Sequence, residues 1–274
     1  GPDNKIYVAD SGNNRIVVMN DDWKLVRIIS SFNKEGSKDS FKNPSGLFVT
    51  QDGDLYVADT DNSRIVHLDA DGKFVREIGR PVSEIIPDDF KYYPTALVVD
   101  KAQRIYIVAL GCNQGLIELD SEGDFVGYTG ASKVKFNMVD YVWKMIATDE
   151  QREKMTNFVP TEYNNINIDN DGFIYVTTSG VSLEDIDYAI STRSKDDRYA
   201  PIRKLNPTGT YVLRRNGYFP PVGDIVFRSR GYAEAGNSQF YDVCIDDSGI
   251  YSVLDKKKGR IFTYDVDGNL LYIF

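Results

Sequence analysis

The chain has 274 residues, 42% of them hydrophobic and 27% charged, an ordinary composition for a folded globular chain. Its net charge of −9 repels phosphate backbones over the surface as a whole, so the expectation is no nucleic-acid partner. No run of about 18 apolar residues occurs, so no direct membrane insertion is expected of this segment. Two cysteines, Cys112 and Cys244, exclude a disulfide scaffold and read as a pair of small buried thiols.

Gly1-Pro2 reads as the scar of a cleaved tag and takes no part in the fold. Residues 3–29 then supply three strands, IYVAD from Ile6, RIVVMN from Arg15 and a third ending near residue 29. Residues 43–78 supply four, punctuated by Asp52-Gly53 and Asp71-Gly72, whose glycines tolerate positive φ. In such strands successive residues alternate between two faces, both apolar here. A small sheet cannot bury two faces alone, so it stacks on copies of itself. The copies follow at 93–130, 162–217 and 240–274, with second strands IYIVA, IYVTT and IYSVL. Tyr7, Tyr56, Tyr106, Tyr175 and Tyr251 are read as equivalent positions in these strands.

The pattern YVAD-x-x-N-x-RI-x-x-x-(D/N), present as YVADSGNNRIVVMN from Tyr7 and YVADTDNSRIVHLD from Tyr56, resembles the NHL repeat. The resemblance implies an all-β fold, a β-propeller of NHL type with five recognisable blades in one domain, working as a binding platform. Blade one lacks its inner strand, and the last strand ends at Phe274. The expectation is therefore a piece of a longer protein, six-bladed in full. Two blades depart from the pattern: Gly115 stands where the Arg would be, and an insertion follows Thr178.

Alternation sorts the connections. Turns between strands one and two, and three and four, are short. The long segments 30–42, 79–93, 130–161, 179–201 and 216–239 all fall on the opposite face, where function sits on a rigid scaffold. Residues 131–161 read as a helical insertion, because Phe136, Val139, Trp143 and Ile146 form one stripe and Thr148 with Gln151 makes a capping box. Residues 179–201, with charges of both signs interleaved, read as a solvated loop.

Candidate residues follow. Asp10, Asp59 and Asp255 each precede an arginine by five, Arg15, Arg64 and Arg260. A site is unique whereas a turn clamp is repeated, so these pairs read as structure. His67, the sole histidine, excludes histidine triads and multi-histidine metal centres, and with them the zinc-dependent amidating lyases that share the NHL propeller. Tyr93, Trp143, Tyr163, Tyr218 and Phe219, with Asn164, Asn165 and Asp242 at inner-strand starts, are the expected binding residues.

The functional expectation is a non-catalytic platform for a protein or peptide, with carbohydrate second and no cofactor. The alternative is a Ca²⁺-dependent lactone or ester hydrolase of the six-bladed type, with Asn165 and Asp242 among the oxygen ligands. The resemblance to bacterial NHL proteins whose propeller precedes membrane-spanning regions implies an extracytoplasmic domain.

Overall fold

The structure, a computed structural model, describes residues 1–2, 4–130, 162–215, 221–224 and 238–274. The expected helices between residues 136 and 157, and Trp143, Tyr218 and Phe219, lie outside the described residues.

Blade one is β1 (Ile6–Asp10), β2 (Arg15–Met19) and β3 (Leu25–Ile29), followed by a hairpin of β4 (Ser31–Lys34) and β5 (Ser37–Ser40). Blade two is β6 (Pro44–Val49), β7 (Leu55–Asp59), β8 (Arg64–Leu68) and β9 (Phe74–Ile78). Blade three is β10 (Pro94–Val99), β11 (Ile105–Ala109), β12 (Leu116–Leu119) and β13 (Phe125–Thr129). Blade four is β14 (Asn165–Ile168), β15 (Ile174–Thr177) and β16 (Ile202–Leu205). Blade five is β17 (Phe240–Ile245), β18 (Tyr251–Asp255), β19 (Arg260–Tyr264) and β20 (Leu270–Ile273). Within each blade the strands pair antiparallel in chain order, the arrangement of a five-blade β-propeller.

The core lies between blades, because each sheet is apolar on both faces. Leu55, Val57 and Val66 face back to Ile16 and Val18 of blade one. Their alternates Tyr56, Ala58 and Ile65 face forward to Leu97 and Ile107 of blade three. Tyr106 and Tyr175 repeat the forward contact in the next two blades. Each such fully buried side chain stabilises by about 1.5–3 kcal/mol relative to exposure.

Register corrects one equivalence. Asp10, Asp59 and Asp255 stand opposite Arg15, Arg64 and Arg260, which puts Tyr251 in line with Ile6 and Leu55. Ser252, not Tyr251, therefore takes the place of Tyr7 and Tyr56. Tyr251 faces backward into the core of blades four and five.

Three further differences have local causes. Blade four has three strands among the described residues, its fourth reduced to a bridge between Leu205 and Tyr211. Beyond Val212 the ladder stops, and Arg215 turns back to donate to the Tyr211 hydroxyl at 2.9–3.0 Å. Segment 30–42 forms the β4–β5 hairpin because Phe32 and Phe41 are buried, Phe32 stacking on Phe74 at 5.5 Å. Segment 179–201, expected as a loop, contains helix α1 (Leu183–Ser191). Ser182 and Asp185 cap it reciprocally at 3.0 Å, and Ile186 and Ala189 bury one stripe. A short acidic capping pair and a narrow stripe were enough to order this charged segment.

Candidate functional site

The face carrying the long connections is shaped by turns that follow the second strands. In blade two, Asp59 is 0% exposed, and its carboxylate accepts from Arg64 Nε (2.9 Å), Asn62 Nδ2 (2.8 Å) and the Lys42 N–H (2.6 Å). Arg64 also donates to Asp39 (2.7 and 3.1 Å) and Glu77 (2.9 Å), so one guanidinium joins the β4–β5 hairpin, β9 and the turn. Asp10 holds Arg15 Nε (2.7 Å) and Asn13 (2.9 and 3.0 Å) likewise, and these donors keep its carboxyl below the usual range. The turn residues then staple the blades: Ser11 Oγ donates to Pro44 O (2.6 Å) and Thr60 Oγ1 to Pro94 O (2.7 Å).

The third expected clamp is not formed. Asp255 accepts the Gln239 and Lys258 N–H groups, while Arg260 pairs with Asp224, as does Lys258 Nζ at 3.0 Å. A carboxylate arriving from the connection ahead of blade five takes the guanidinium. Sequence spacing carries no trace of such a long-range competitor.

Several expected binding residues prove to be fasteners. Tyr163 is 4% exposed; its hydroxyl donates to Gly130 O and accepts from Arg203 Nη1 (3.0 Å), with the guanidinium over the ring. It is a packing residue rather than a surface anchor, and burial pushes its hydroxyl pKa up. Asn164 Nδ2 donates to Phe240 O (2.7 Å) and Asn167 Nδ2 to Val243 O (3.2 Å). Asn165 and Asp242 do meet, but through Asn165 Nδ2 and Asp242 Oδ1 at 2.8 Å. The Asn165 oxygen accepts the Ile166 N–H (2.8 Å), which fixes the amide with its nitrogen toward Asp242. Two oxygens therefore do not converge on one point. Among the described residues no group of three or more His, Cys, Asp and Glu is placed to hold a metal.

His67 is structural, stacked on Tyr56 at 4.0 Å with Nε2 2.8 Å from Asp54, and burial pushes its pKa down. Of the two cysteines, Cys112 is buried and Cys244 is exposed, so the expected buried pair is half realised.

Among its charged residues the face also exposes apolar side chains. Tyr93 is exposed at the entry to β10, and its carbonyl accepts the Leu110 N–H (3.0 Å), which sets the exposed Leu110 beside it. Val82 and Ile85 in the connection before β10, Tyr188 on α1 and Tyr241 at the start of β17 are exposed as well. Lys256 Nζ lies 4.2 Å from the Tyr241 ring centroid. Leu110 and Tyr241 escaped the sequence reading. Leu110 was legible, because it occupies the position where Ser11 and Thr60 carry a stapling hydroxyl. An apolar residue at a hydroxyl position signals a different use.

A family model described as NHL repeat matches residues 41–68. A sequence comparison with curated proteins finds no match. Among solved structures, the chain is similar to streptogramin B lyase at 12% identity and a TM-score of 0.52, covering 100% of this chain and 66% of that one. It is similar also to the hydrazine synthase of Kuenenia stuttgartiensis, at 11% identity and a TM-score of 0.54, covering 97% and 75%. A third is the extracellular domain of a hybrid two component system from B. thetaiotaomicron, at 12% identity and a TM-score of 0.51, covering 98% and 26%. The chain thus spans just under two thirds of the streptogramin B lyase. A lyase, a synthase and an extracellular domain share this fold, so the likeness carries architecture and not activity. With an NHL repeat matched in blade two and antiparallel sheets following in chain order through five blades, the chain is a β-propeller that carries an NHL repeat at residues 41–68.

Proposed function

We propose that the long-loop face is a non-catalytic platform that binds a protein or peptide. One observation carries the reading: Tyr93, Leu110, Val82, Ile85, Tyr188 and Tyr241 are exposed in or beside the long connections, and the Asp59 turn beneath them has its carboxylate and its Thr60 hydroxyl already satisfied within the fold. Exposed aromatic and aliphatic side chains on a rigid base are the raw material of interface hot spots. Carbohydrate is the second choice, and Lys256 over the Tyr241 ring weakens it by occupying a stacking surface. The Ca²⁺-dependent hydrolase is less well supported, because Asn165 turns nitrogen rather than oxygen to Asp242. Calcium binding seen by calorimetry and lost in Asp242→Asn would restore it. We also place the chain outside the cytoplasm of a bacterium, by analogy with the extracellular domain that shares its fold. Fractionation of the source cells decides that point.

The platform is tested with a partner captured by pull-down and then titrated against purified variants. Tyr93→Ala and Leu110→Asp should weaken binding by about 1–3 kcal/mol. Asp71→Lys and Asp267→Lys, in exposed turns of the opposite face, should change it by less than about 0.5 kcal/mol. The reverse pattern would overturn the proposal.

A further inference from the structure

Blade four breaks off its outer strand early, and a cavity stands where it does so. The strand reaches only the bridge at Tyr211, and Leu213 and Arg215 continue from there as irregular chain. Lys195, from the connection that carries α1, comes up against Arg215. Lys195, Tyr211, Leu213 and Arg215 line a cavity of about 180 Å³. That is far more than one water requires and less than a drug-sized ligand fills, so it suits a small molecule or the end of a larger one.

The polar groups around it are donors short of acceptors. The Tyr211 oxygen accepts from Arg215 Nε at 3.0 Å and from Nη2 at 2.9 Å, which fixes the plane of the guanidinium. Nη2 also approaches Lys195 O at 3.5 Å, the limit of hydrogen bonding. Both N–H bonds of Nη1 are left over, and Nη1 is buried with no acceptor among the described residues. The Tyr211 hydroxyl, having accepted twice, keeps its own proton, for which the described residues offer no acceptor either.

The charge is unbalanced as well. Burial raises the Tyr211 pKa, so the phenol stays neutral and does not cancel Arg215. Asp196 is held by Arg198 at 2.7 Å. Burial raises the Asp197 carboxyl, and the charge of Arg203 opposes that rise. Arg215 and the exposed Lys195 therefore stand without a carboxylate partner among the described residues.

We propose that this cavity binds the carboxylate of a small organic acid or of a peptide end, with Arg215 and the Tyr211 hydroxyl as donors and Lys195 adding charge. Leu213, buried in the wall, meets the carbon chain behind the carboxylate. A doubly charged phosphate suits the site less, because the charge of Asp197 reaches the same phenol. The site is separate from the exposed apolar residues of the loop face, and its test needs no protein partner.

The backbone amide signals of Lys195, Tyr211 and Leu213 test it, followed by NMR of the isotope-labelled chain at constant ionic strength. N-acetylleucine should move them to saturation, and N-acetylleucinamide, which lacks the charge, should not. Acetate binding as tightly as N-acetylleucine marks a free organic acid as the ligand, whereas tighter N-acetylleucine marks a peptide end. Arg215→Gln should weaken N-acetylleucine about tenfold or more, as loss of a charged donor does. Lys195→Gln should weaken it about two- to fivefold, the range of one exposed charge. Lys195 is exposed, so its replacement leaves the fold intact and decides the matter if Arg215→Gln fails to fold. No response to N-acetylleucine, an equal response to the amide, tighter binding of inorganic phosphate, or an unchanged affinity in Lys195→Gln would each overturn the proposal.

Discussion

Blade two and blade four share a strand order and are held by different chemistry. In blade two the buried Asp59 and Arg64 close a short turn and tie it to the hairpin ahead. In blade four the same two positions hold Thr178 and Pro201, joined by a backbone hydrogen bond of 3.0 Å. The turn there opens into the segment that forms α1. Blade four is fastened sideways instead, by Asn164, Asn165, Asn167 and Asn170, each of which reaches a group of blade five. It also buries Arg203, a charge at 1% exposure, against Tyr163. The comparison shows two ways to fix a blade. A charged clamp secures the turn and keeps it short. Amide staples secure the strand and leave the turn free to carry an insertion.

If that division is right, the clamp positions differ in cost. Asp59→Ala leaves Arg64 with one carboxylate fewer and the Lys42 and Asn62 donors unanswered, so it should destabilise by about 3 kcal/mol in chemical denaturation. Thr178→Ala, at the equivalent place, should cost about 1 kcal/mol or less. Equal costs would erase the distinction. The next largest effect belongs to blade four. Tyr163→Phe keeps the ring but removes the hydroxyl that serves Gly130 and Arg203, and should cost about 2 kcal/mol. A cost near zero would mean the hydroxyl merely fills space.

These residues also show where the sequence could be read. The blade repeat was legible because its causes are local: alternation, left-handed turn glycines, and an Asp five residues before an Arg. The Asp10 and Asp59 clamps followed from spacing alone. The α1 helix was partly legible, since Ser182 and Asp185 stand at capping-box spacing, but the interleaved charges of 179–201 masked it. The burial of Tyr163 was not legible, because it depends on Arg203 forty residues away and on Gly130 in the preceding blade. Nor was the loss of the Asp255–Arg260 pair, which Asp224 decides from another connection. The amide orientation of Asn165 likewise depends on its own backbone and on blade five together.

The smallest expected effect separates carboxyls of the two blades, Asp39 and Glu77 against Asp197, by the sign of their response to acid. In blade two, hydrogen bonding from Arg64 holds the Asp39 carboxyl below its ordinary value, and Lys34 does the same for Glu77. In blade four, burial raises the Asp197 carboxyl. The unfolded values are about 3.9 for Asp and about 4.3 for Glu. Groups depressed in the folded state contribute stability that is complete above those values and disappears as pH falls through the folded ones. A group raised in the folded state does the opposite: its penalty is absent below the unfolded value and grows as pH rises through the folded one. Acid should therefore weaken the blade-two network while relieving the Asp197 carboxyl. All three carboxyls keep contact with solvent, so each contribution is small, under about 0.5 kcal/mol. Glu77→Gln should lower the melting temperature slightly at pH 7 and match the parent near pH 3. Asp197→Asn should raise it slightly at pH 7 and also match the parent near pH 3. A Glu77→Gln deficit of the same size at both pH values would show that Glu77 acts through packing, and that the clamp of blade two owes little to charge beyond Asp59.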